Sequence, residues 1–461
     1  MKRVINHYIV LSIAFLMFFG IVFYLAYFPS TITGYAILSG NAINVTSCGA
    51  LSTSGEYYVL QNNINSASGT CININNNDIT FDGNGYSINH TTSVTSTNGV
   101  VVFAKRNITI QNLNVNNFTY GFWFEQANNS LVNNVKSHNN LFTGFLLLNG
   151  HGNTIENSSV RYSPGQSGSD GGITLSGATG TVLRNVISSN NANGISVLGH
   201  NTSLLNITAN NNAYSGVLLL NTQNNTLDGI NASGNNGNGV YVNSGGFNII
   251  NNLSAVNNIQ NGLLIEASVF DVVKNVYSSF NGQKDVVVTT GSSNIDFIDF
   301  NLDTYSFASG TVGYFEKSLY GLVKFLSFVG VNGTNLNQDL QISNNFVYVN
   351  SSVSGFNISA NITLYNLPTN LTSPLILRDG SLCNSCYNFT SLNAGNVVFN
   401  VTGWSNYSIG ENVSSSSNSS NTNSSTNLTT GSGGGSSAGG GAGGAGGAGG
   451  GATSSVVPNI S

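Results

Sequence analysis

Few residues in this chain are able to do acid–base or metal chemistry. Its 461 residues include 17 Asp and Glu, 12 Lys and Arg, 5 His, 4 Cys and 2 Met. A hydrolase or lyase acting on polysaccharide needs clustered carboxylates, often with an Arg or a calcium ion. His138, Arg161, Tyr162 and Asp170 gather around the stretch YSPGQSGSDGG, a set able to bind a sugar through charge, hydrogen bonds and a ring. Asp296, Asp299 and Asp303 are the acidic trio closest in sequence, but their spacing is not strand-like throughout, and no metal site is expected there. Cys383-Asn384-Ser385-Cys386 is a C-x-x-C, the motif of a redox pair or of half a zinc site. No second C-x-x-C and no nearby His completes a zinc site, and no βαβ pattern surrounds it. A small disulfide across a turn is predicted instead.

The elements that must position these residues repeat. Gly99, Gly121, Gly144, Gly172, Gly194, Gly216, Gly239 and Gly262 recur at intervals of 22, 23, 28, 22, 22, 23 and 23. A fixed period in this range marks a solenoid. Each glycine is followed by an apolar residue, and the second residue after that is apolar again, as in Phe122 and Phe124 or Ile195 and Val197. The position between is mixed, from Trp123 to Ser196 to Tyr241. Such alternation predicts a short strand with one face inward, entered through a glycine turn. Asn112, Asn134, Asn157, Asn185, Asn206 and Asn252 recur about ten residues before most of these glycines. Gly229 interrupts that series, and Asn275 extends it into a coil where Asp285 replaces the glycine. Stacked coils place equivalent positions ~4.8 Å apart. An amide is donor and acceptor at once, so these asparagines are predicted to form a ladder.

The register sorts the remaining charges. Glu125 and Glu266 hold the same position six coils apart, ~29 Å, too far to cooperate. Glu156 and Arg184 fall in adjacent coils and predict a surface ion pair, which contributes little. Arg161 aligns with His138, and the 28-residue interval makes the intervening stretch a protruding loop.

These glycine, asparagine and apolar positions resemble the right-handed parallel β-helix family, the NosD-like or pectin-lyase-like solenoids, over about Asn44 to Tyr320. Leucine-rich repeats share the period but need an L-x-x-L-x-L core and a helix, and Gly, Asn, Ser and Thr do not support helices. "SCGALSTSGEYYVLQNNI" and "TCININNNDITFDGNGYSI", with the tight-turn cluster Asp82-Gly83-Asn84-Gly85, resemble the entry segment of archaeal surface β-helix proteins. "SANITLYNLP", "PLILRDGSLC" and "VVFNVTGWSNYSIG" resemble the small β domain that follows the solenoid in such proteins. The expected fold is all-β: a right-handed parallel β-helix of roughly 9–11 coils with an N-terminal cap over 40–320, then a sandwich-like β domain over 335–412. The join near 321–334 is left unassigned. The family also raises copper as an option. Copper favours Met, Cys and His, yet Met1 and Met17 lie outside the solenoid and His151 and His200 fall two coils apart. No copper site and no other cofactor is expected.

Lys2 and Arg3 precede an apolar run from Ile9 to Phe28. Twenty residues of helix span ~30 Å, the thickness of a bilayer core. The expectation is a cytoplasmic stub at 1–8, a single-pass anchor at 9–28 and the bulk outside the cell; cleavage near Tyr35-Ala36 would make the chain secreted. All four cysteines follow the run, and an even count in an exported chain reads as disulfides. Cys48 paired with Cys71 would close the start of the solenoid, worth roughly 3 kcal/mol. Beyond residue 412 a Ser/Asn/Thr run and then a Gly/Ala run predict a linker. Dense N-x-S/T sequons suit glycosylation of exposed coils and linker. Charged residues are 6% of the chain and the net charge is −5, which excludes a nucleic-acid binder. The expected partners are the membrane, surface glycans and other surface proteins. The expected role is structural, adhesive or glycan-binding and not catalytic; the alternative is a polysaccharide lyase or hydrolase on the same scaffold.

Overall fold

The computed structural model describes residues 42–411 apart from 67, 92–95 and 166. The predicted stub, anchor and linker lie outside the described residues. One coil shows the plan. Strand Tyr120–Glu125 is followed by Leu131–Asn133 and Lys136–His138. The first pairs in parallel with Asn98–Phe103 before it and Thr143–Leu148 after it. It belongs to a 13-stranded sheet. The other two belong to a 24-stranded sheet, bent between them at Asn134, whose φ is 52°. The coils wind as a right-handed solenoid of about 11 turns with almost no helix. The alternating apolar residues point inward: Val100, Phe122, Phe145, Ile173, Ile195, Val217, Val240 and Leu263 are all fully buried. They stack coil on coil, and the rings of Phe122 and Phe145 lie 4.4 Å apart and nearly parallel.

The repeat glycines do a different job from the one their spacing suggested. They lie within or at the edge of strands and none adopts a left-handed φ. A Cβ on Gly144 would sit 2.3 Å from Cγ1 of Val160. The glycines recur because two faces of the coil meet there without room for a methyl group. Most of the left-handed corners belong instead to asparagines, which tolerate that backbone better than other non-glycine residues.

Two sets of amide rows run along the solenoid. The outer set holds the asparagines expected from sequence, at exposed or half-buried corners. Asn134 donates to Asn112 (2.8 Å), Asn185 to Asn157 (3.0 Å) and Asn206 to Asn185 (3.3 Å). The row is not continuous: Asn157 donates to Asn133, Asn252 to Asp228 and Asn275 to Asn251. The inner set is buried, apart from its half-buried last member Asn281, and was not anticipated. Asn212, Asn235 and Asn258 each donate from Nδ2 to Oδ1 of the next, and Asn258 to Asn281, all at 3.0 Å. The same oxygens accept the backbone N–H of the preceding row member. A parallel row links Asn225 to Asn248 and Asn248 to Asp271.

Four of the row ends are carboxylates, while the row through Asn206, Asn185 and Asn157 stops on the Asn133 amide. In the inner set donors point toward later coils, and the last acceptors are Asp285, 2.8 Å from Asn281, and Asp271, 3.0 Å from Asn248. In the outer set donors point toward earlier coils, and Asp82 and Asp228 receive them. Burial pushes the Asp82 carboxyl up, but hydrogen bonds from Tyr57, Gln111, the Asn84 N–H and Asn112 outweigh it and hold it below its ordinary value. Asp285 thus takes the glycine position in the coil where the inner row stops.

The ends of the solenoid are closed by other means. Cys48 and Cys71 form a disulfide between the first two coils, beside the pairing of Gly49–Leu51 with Thr70–Ile74. Parallel pairing continues to Val312–Lys317. The unassigned join then turns antiparallel: Gly321–Phe325 pairs with Val312–Lys317 and with Ala360–Leu364, and Val331–Gly333 with Tyr305–Phe307. Val397–Val401 and Tyr387–Asn388 extend this sheet. A five-stranded antiparallel sheet, built around Asn406–Glu411, forms a second layer. The Cys383–Cys386 disulfide sits between Ser381–Leu382 and Tyr387–Asn388.

The inner rows set a prediction. Asn235→Ala leaves the buried N–H and Nδ2–H of Asn212 without an acceptor, and should destabilise the protein by about 3 kcal/mol. Asn134→Gly keeps the left-handed corner and loses one exposed hydrogen bond, and should stay within about 1 kcal/mol of the parent. Urea unfolding midpoints of the two variants measure the contrast.

Candidate functional site

The four loop-side residues picked out from sequence do not converge. His138 and Arg161 oppose each other at the ends of Lys136–His138 and Ser159–Arg161, in the 24-stranded sheet. Burial, with the charges of Arg161 and Lys136, holds the His138 imidazole below its ordinary value, and its Nε2 lies 3.2 Å from Ser159 Oγ. Tyr162 is 55% exposed at the corner that follows, with φ 58°. Asp170 closes the loop: its Oδ2 accepts the Ser167 N–H at 2.8 Å, and its carbonyl accepts Asn193 Nδ2 at 2.8 Å. Its charge, after burial, raises the Tyr120 phenol. The loop therefore delivers Asp170 toward the 13-stranded sheet, and Arg161 stays on the other.

What Asp170 meets there is a set of rings. The outward position of the 13-stranded sheet runs Val101, Trp123, Leu146, Thr174, Ser196, Leu218, Tyr241, Leu264 and Val287 in successive coils. Tyr120 lies 5.2 Å from Trp123 and 5.7 Å from Phe142, centroid to centroid, and all three are half-buried. This is an amphipathic ring platform on a rigid face, the surface that suits sugar rings. The carboxylates on the face stand apart. Glu125 opposes Phe103 and Leu148, and Glu266 opposes Asn243 and takes a hydrogen bond from Tyr241. Glu156 pairs with Arg184 at 3.6 Å on the other sheet.

A second grouping lies where the solenoid meets the C-terminal module. Asp296, on strand Ile295–Ile298, rests against Gly313, where a Cβ would sit 2.2 Å from its Oδ1. Its carboxyl is pushed up to about 6 by burial, which exceeds the opposing effects of Lys324 and the Tyr314 N–H; Glu316 adds to the rise. Burial and the two carboxylates raise the Tyr314 phenol to about 12. Glu316 accepts from Tyr365 at 3.4 Å, and burial raises its carboxyl too. Of the acidic trio only Asp296 takes part here. Asp299 accepts from the Ser318 N–H and hydroxyl, at 2.8 and 2.6 Å. Neither grouping was found from sequence. Trp123 and Tyr241 were visible as outward residues, but the ring set around Trp123 is completed by Tyr120, at the start of its own strand, and by Phe142, just before the next one.

The donors do not fit copper. All four cysteines are in disulfides. His151 bonds Thr179, and His200 Nδ1 accepts the Gln223 N–H. Among the described residues no three His, Cys, Asp or Glu side chains converge to hold a metal. None of their helices is long and apolar enough to cross a membrane.

Residues 143–302 match the family model for the right-handed beta helix region, and residues 61–205 match the model for periplasmic copper-binding protein NosD. No curated protein sequence matches the chain. Among solved structures, the chain is similar to the A-module of the Azotobacter vinelandii mannuronan C-5 epimerase AlgE4, with 16% identity over 59% of this chain and 85% of that one, TM-score 0.47. The periplasmic alginate epimerase AlgG gives 14% identity over 58% and 76%, TM-score 0.42. The Dettilon tailspike protein gives 12% over 80% and 84%, TM-score 0.39.

Asp296 sets a prediction with a definite sign. Its folded-state value lies above the ~3.9 of an unfolded Asp, so the native state holds the proton more tightly. The stability it contributes is full below about pH 4 and is lost as pH rises toward 6. Asp296→Asn removes that loss. The variant's Tm should exceed the parent's by a margin that grows between about pH 4 and 6 and then levels off, as thermal unfolding across that range would record.

Proposed function

The chain carries a NosD-like right-handed parallel β-helix, and from that premise we propose that it is an extracellular, membrane-tethered scaffold whose 13-stranded face binds glycan without covalent chemistry. The observation that carries this reading is the Tyr120–Trp123–Phe142 ring set, rimmed by the loop that Asp170 closes. Rings of this kind stack on the C–H faces of sugars, and the neighbouring carboxylate and hydroxyls select orientation. A non-catalytic role is supported by the use of four of the chain's carboxylates, Asp82, Asp228, Asp271 and Asp285, as acceptors for amide rows. Both disulfides suit an oxidising exterior. The tether is the apolar run at 9–28, and the partners are surface glycans, free or protein-borne.

One observation favours the second reading, a lyase or hydrolase. The Asp296 carboxyl, at about 6, is poised as a general acid–base group requires.

A glycan array probed with the full-length protein and its Trp123→Ala variant tests the first reading. Trp123→Ala should weaken retained binding about tenfold; equal binding by both proteins would remove the ring set from the mechanism. Incubation with polygalacturonate and alginate, with and without calcium, should give no unsaturated or shortened product. Product lost on Arg161→Ala, Asp170→Asn or Asp296→Asn would establish the enzyme instead.

A further inference from the structure

One corner of the coil, between the 13-stranded sheet and the strand that follows it, is left-handed in every turn from Asn107 onward. It is filled by Asn107, Asn129, Gly152, Gly180, Asn201 and Asn224, then by Phe247 and Phe270, then by Asn294. Asn and Gly suit this backbone, while a bulky aromatic residue there is a conformational outlier. Phe247 and Phe270 have φ of 56° and 57°. They gain no core burial in return, being 52% and 51% exposed. Their rings stack on each other, centroids 5.2 Å apart and 16° from parallel.

That stack leaves one face of Phe270 free, toward the next coil. There the column reverts to the smaller Asn294, and a groove of about 570 Å³ opens. Phe270 and Phe328 are its ring walls, and Phe328 is 79% exposed. Asn294, Asp296, Tyr314 and Lys324 supply a carboxamide, a carboxyl, a phenol and an amine around it. Asp296 and Lys324 are not within ion-pair distance, so both keep hydrogen-bonding capacity for a guest. The opposite charges of Asp296 and Lys324 leave the groove near neutrality.

We propose that this groove is a second saccharide site, taking one pyranose ring of a neutral hexose oligomer between Phe270 and Phe328, with Asp296, Asn294 and Lys324 bonding its hydroxyls. Phe247 acts as the prop that fixes the Phe270 ring. Flat apolar walls fit the C–H faces of a pyranose, and mixed donors and acceptors fit its equatorial hydroxyls. A strained aromatic corner, Phe270, propped by a second, Phe247, and a half-buried carboxyl, Asp296, meet at one cavity, where stability is given up for binding. The proposal rests on the reading of the chain as a saccharide binder but not on the Trp123 face.

Calorimetric titration of the full-length protein with cellohexaose and mannohexaose, and with oligogalacturonate as an anionic comparison, tests it. Phe270→Asn restores the residue the column favours. It should raise Tm while weakening neutral-oligomer binding about tenfold, a split that a structural role for Phe270 would not produce. Asp296→Asn should weaken it similarly, and Trp123→Ala should leave a Phe270-dependent binding component. Absence of any neutral-oligomer binding at about 1 mM, or binding unchanged in both groove variants, would overturn the groove. Preference for oligogalacturonate over the neutral oligomers would overturn the ligand class. Binding lost in Trp123→Ala yet intact in Phe270→Asn would leave the face as the binder and discard the groove.

Discussion

Amide-to-amide hydrogen bonding between stacked coils is the constraint on which this fold depends. Parallel coils place like residues a strand spacing apart, so a polar side chain at a buried position can reach only its own counterpart above and below. Asparagine satisfies that geometry because it gives and receives at once. Asn212, Asn235, Asn258 and Asn281 do so with essentially no exposure to water or only partial exposure, and each oxygen also takes a backbone N–H. Without that pairing, the corner between the two sheets would hold uncompensated donors at about 1–3 kcal/mol each, so that a few of them would offset the whole margin of a small domain.

A chain of amides has a direction, and its final oxygen must come from a group that passes nothing on. A carboxylate, an acceptor only, is that group. Four of the chain's 17 acids stand at such ends: Asp82 and Asp228 for the outer set, Asp271 and Asp285 for the inner. Asp271 is fully buried, and desolvation raises its carboxyl in spite of hydrogen bonds from Ser268 and Asn248. A low overall charge is consistent with this use. Asp296 departs from it, resting over Gly313 at the mouth of a groove, which makes it the acid with the strongest claim to a role in recognition.

The solenoid was legible because its signals are periodic. The inward residues from Val100 to Leu263 alternate strictly, and a two-residue period survives any loop length between coils. The outer asparagines and the ion pair of Glu156 with Arg184 followed from the same register. The inner row was equally periodic, Asn212, Asn235 and Asn258 standing four residues before Gly216, Gly239 and Gly262, but was hidden among many other asparagines. The glycines misled in mechanism though not in position, since a sequence does not distinguish a glycine needed for φ from one needed for space. The candidate sites were the least visible part. The ring set joins two residues of one strand with a residue just before the next, and the loop residues His138 and Asp170 part company because a corner separates two sheets. The groove depends on antiparallel strands after Lys317, where the repeat ends. An aligned column of left-handed corners would have singled out Phe247 and Phe270.

The opposed polarity of the amide rows also governs how such a protein is free to grow. A duplicated 23-residue unit inserted between Asn212 and Asn258 would hand the proton donors along unbroken, because each new coil presents the same amide it receives. The same unit placed after Asp285 would meet an oxygen-only terminus, and placed before Asp82 it would meet another. The acidic ends at Asp82 and Asp285 let the array elongate from its interior, so that lengthening the solenoid leaves both its first coils and its C-terminal module chemically untouched.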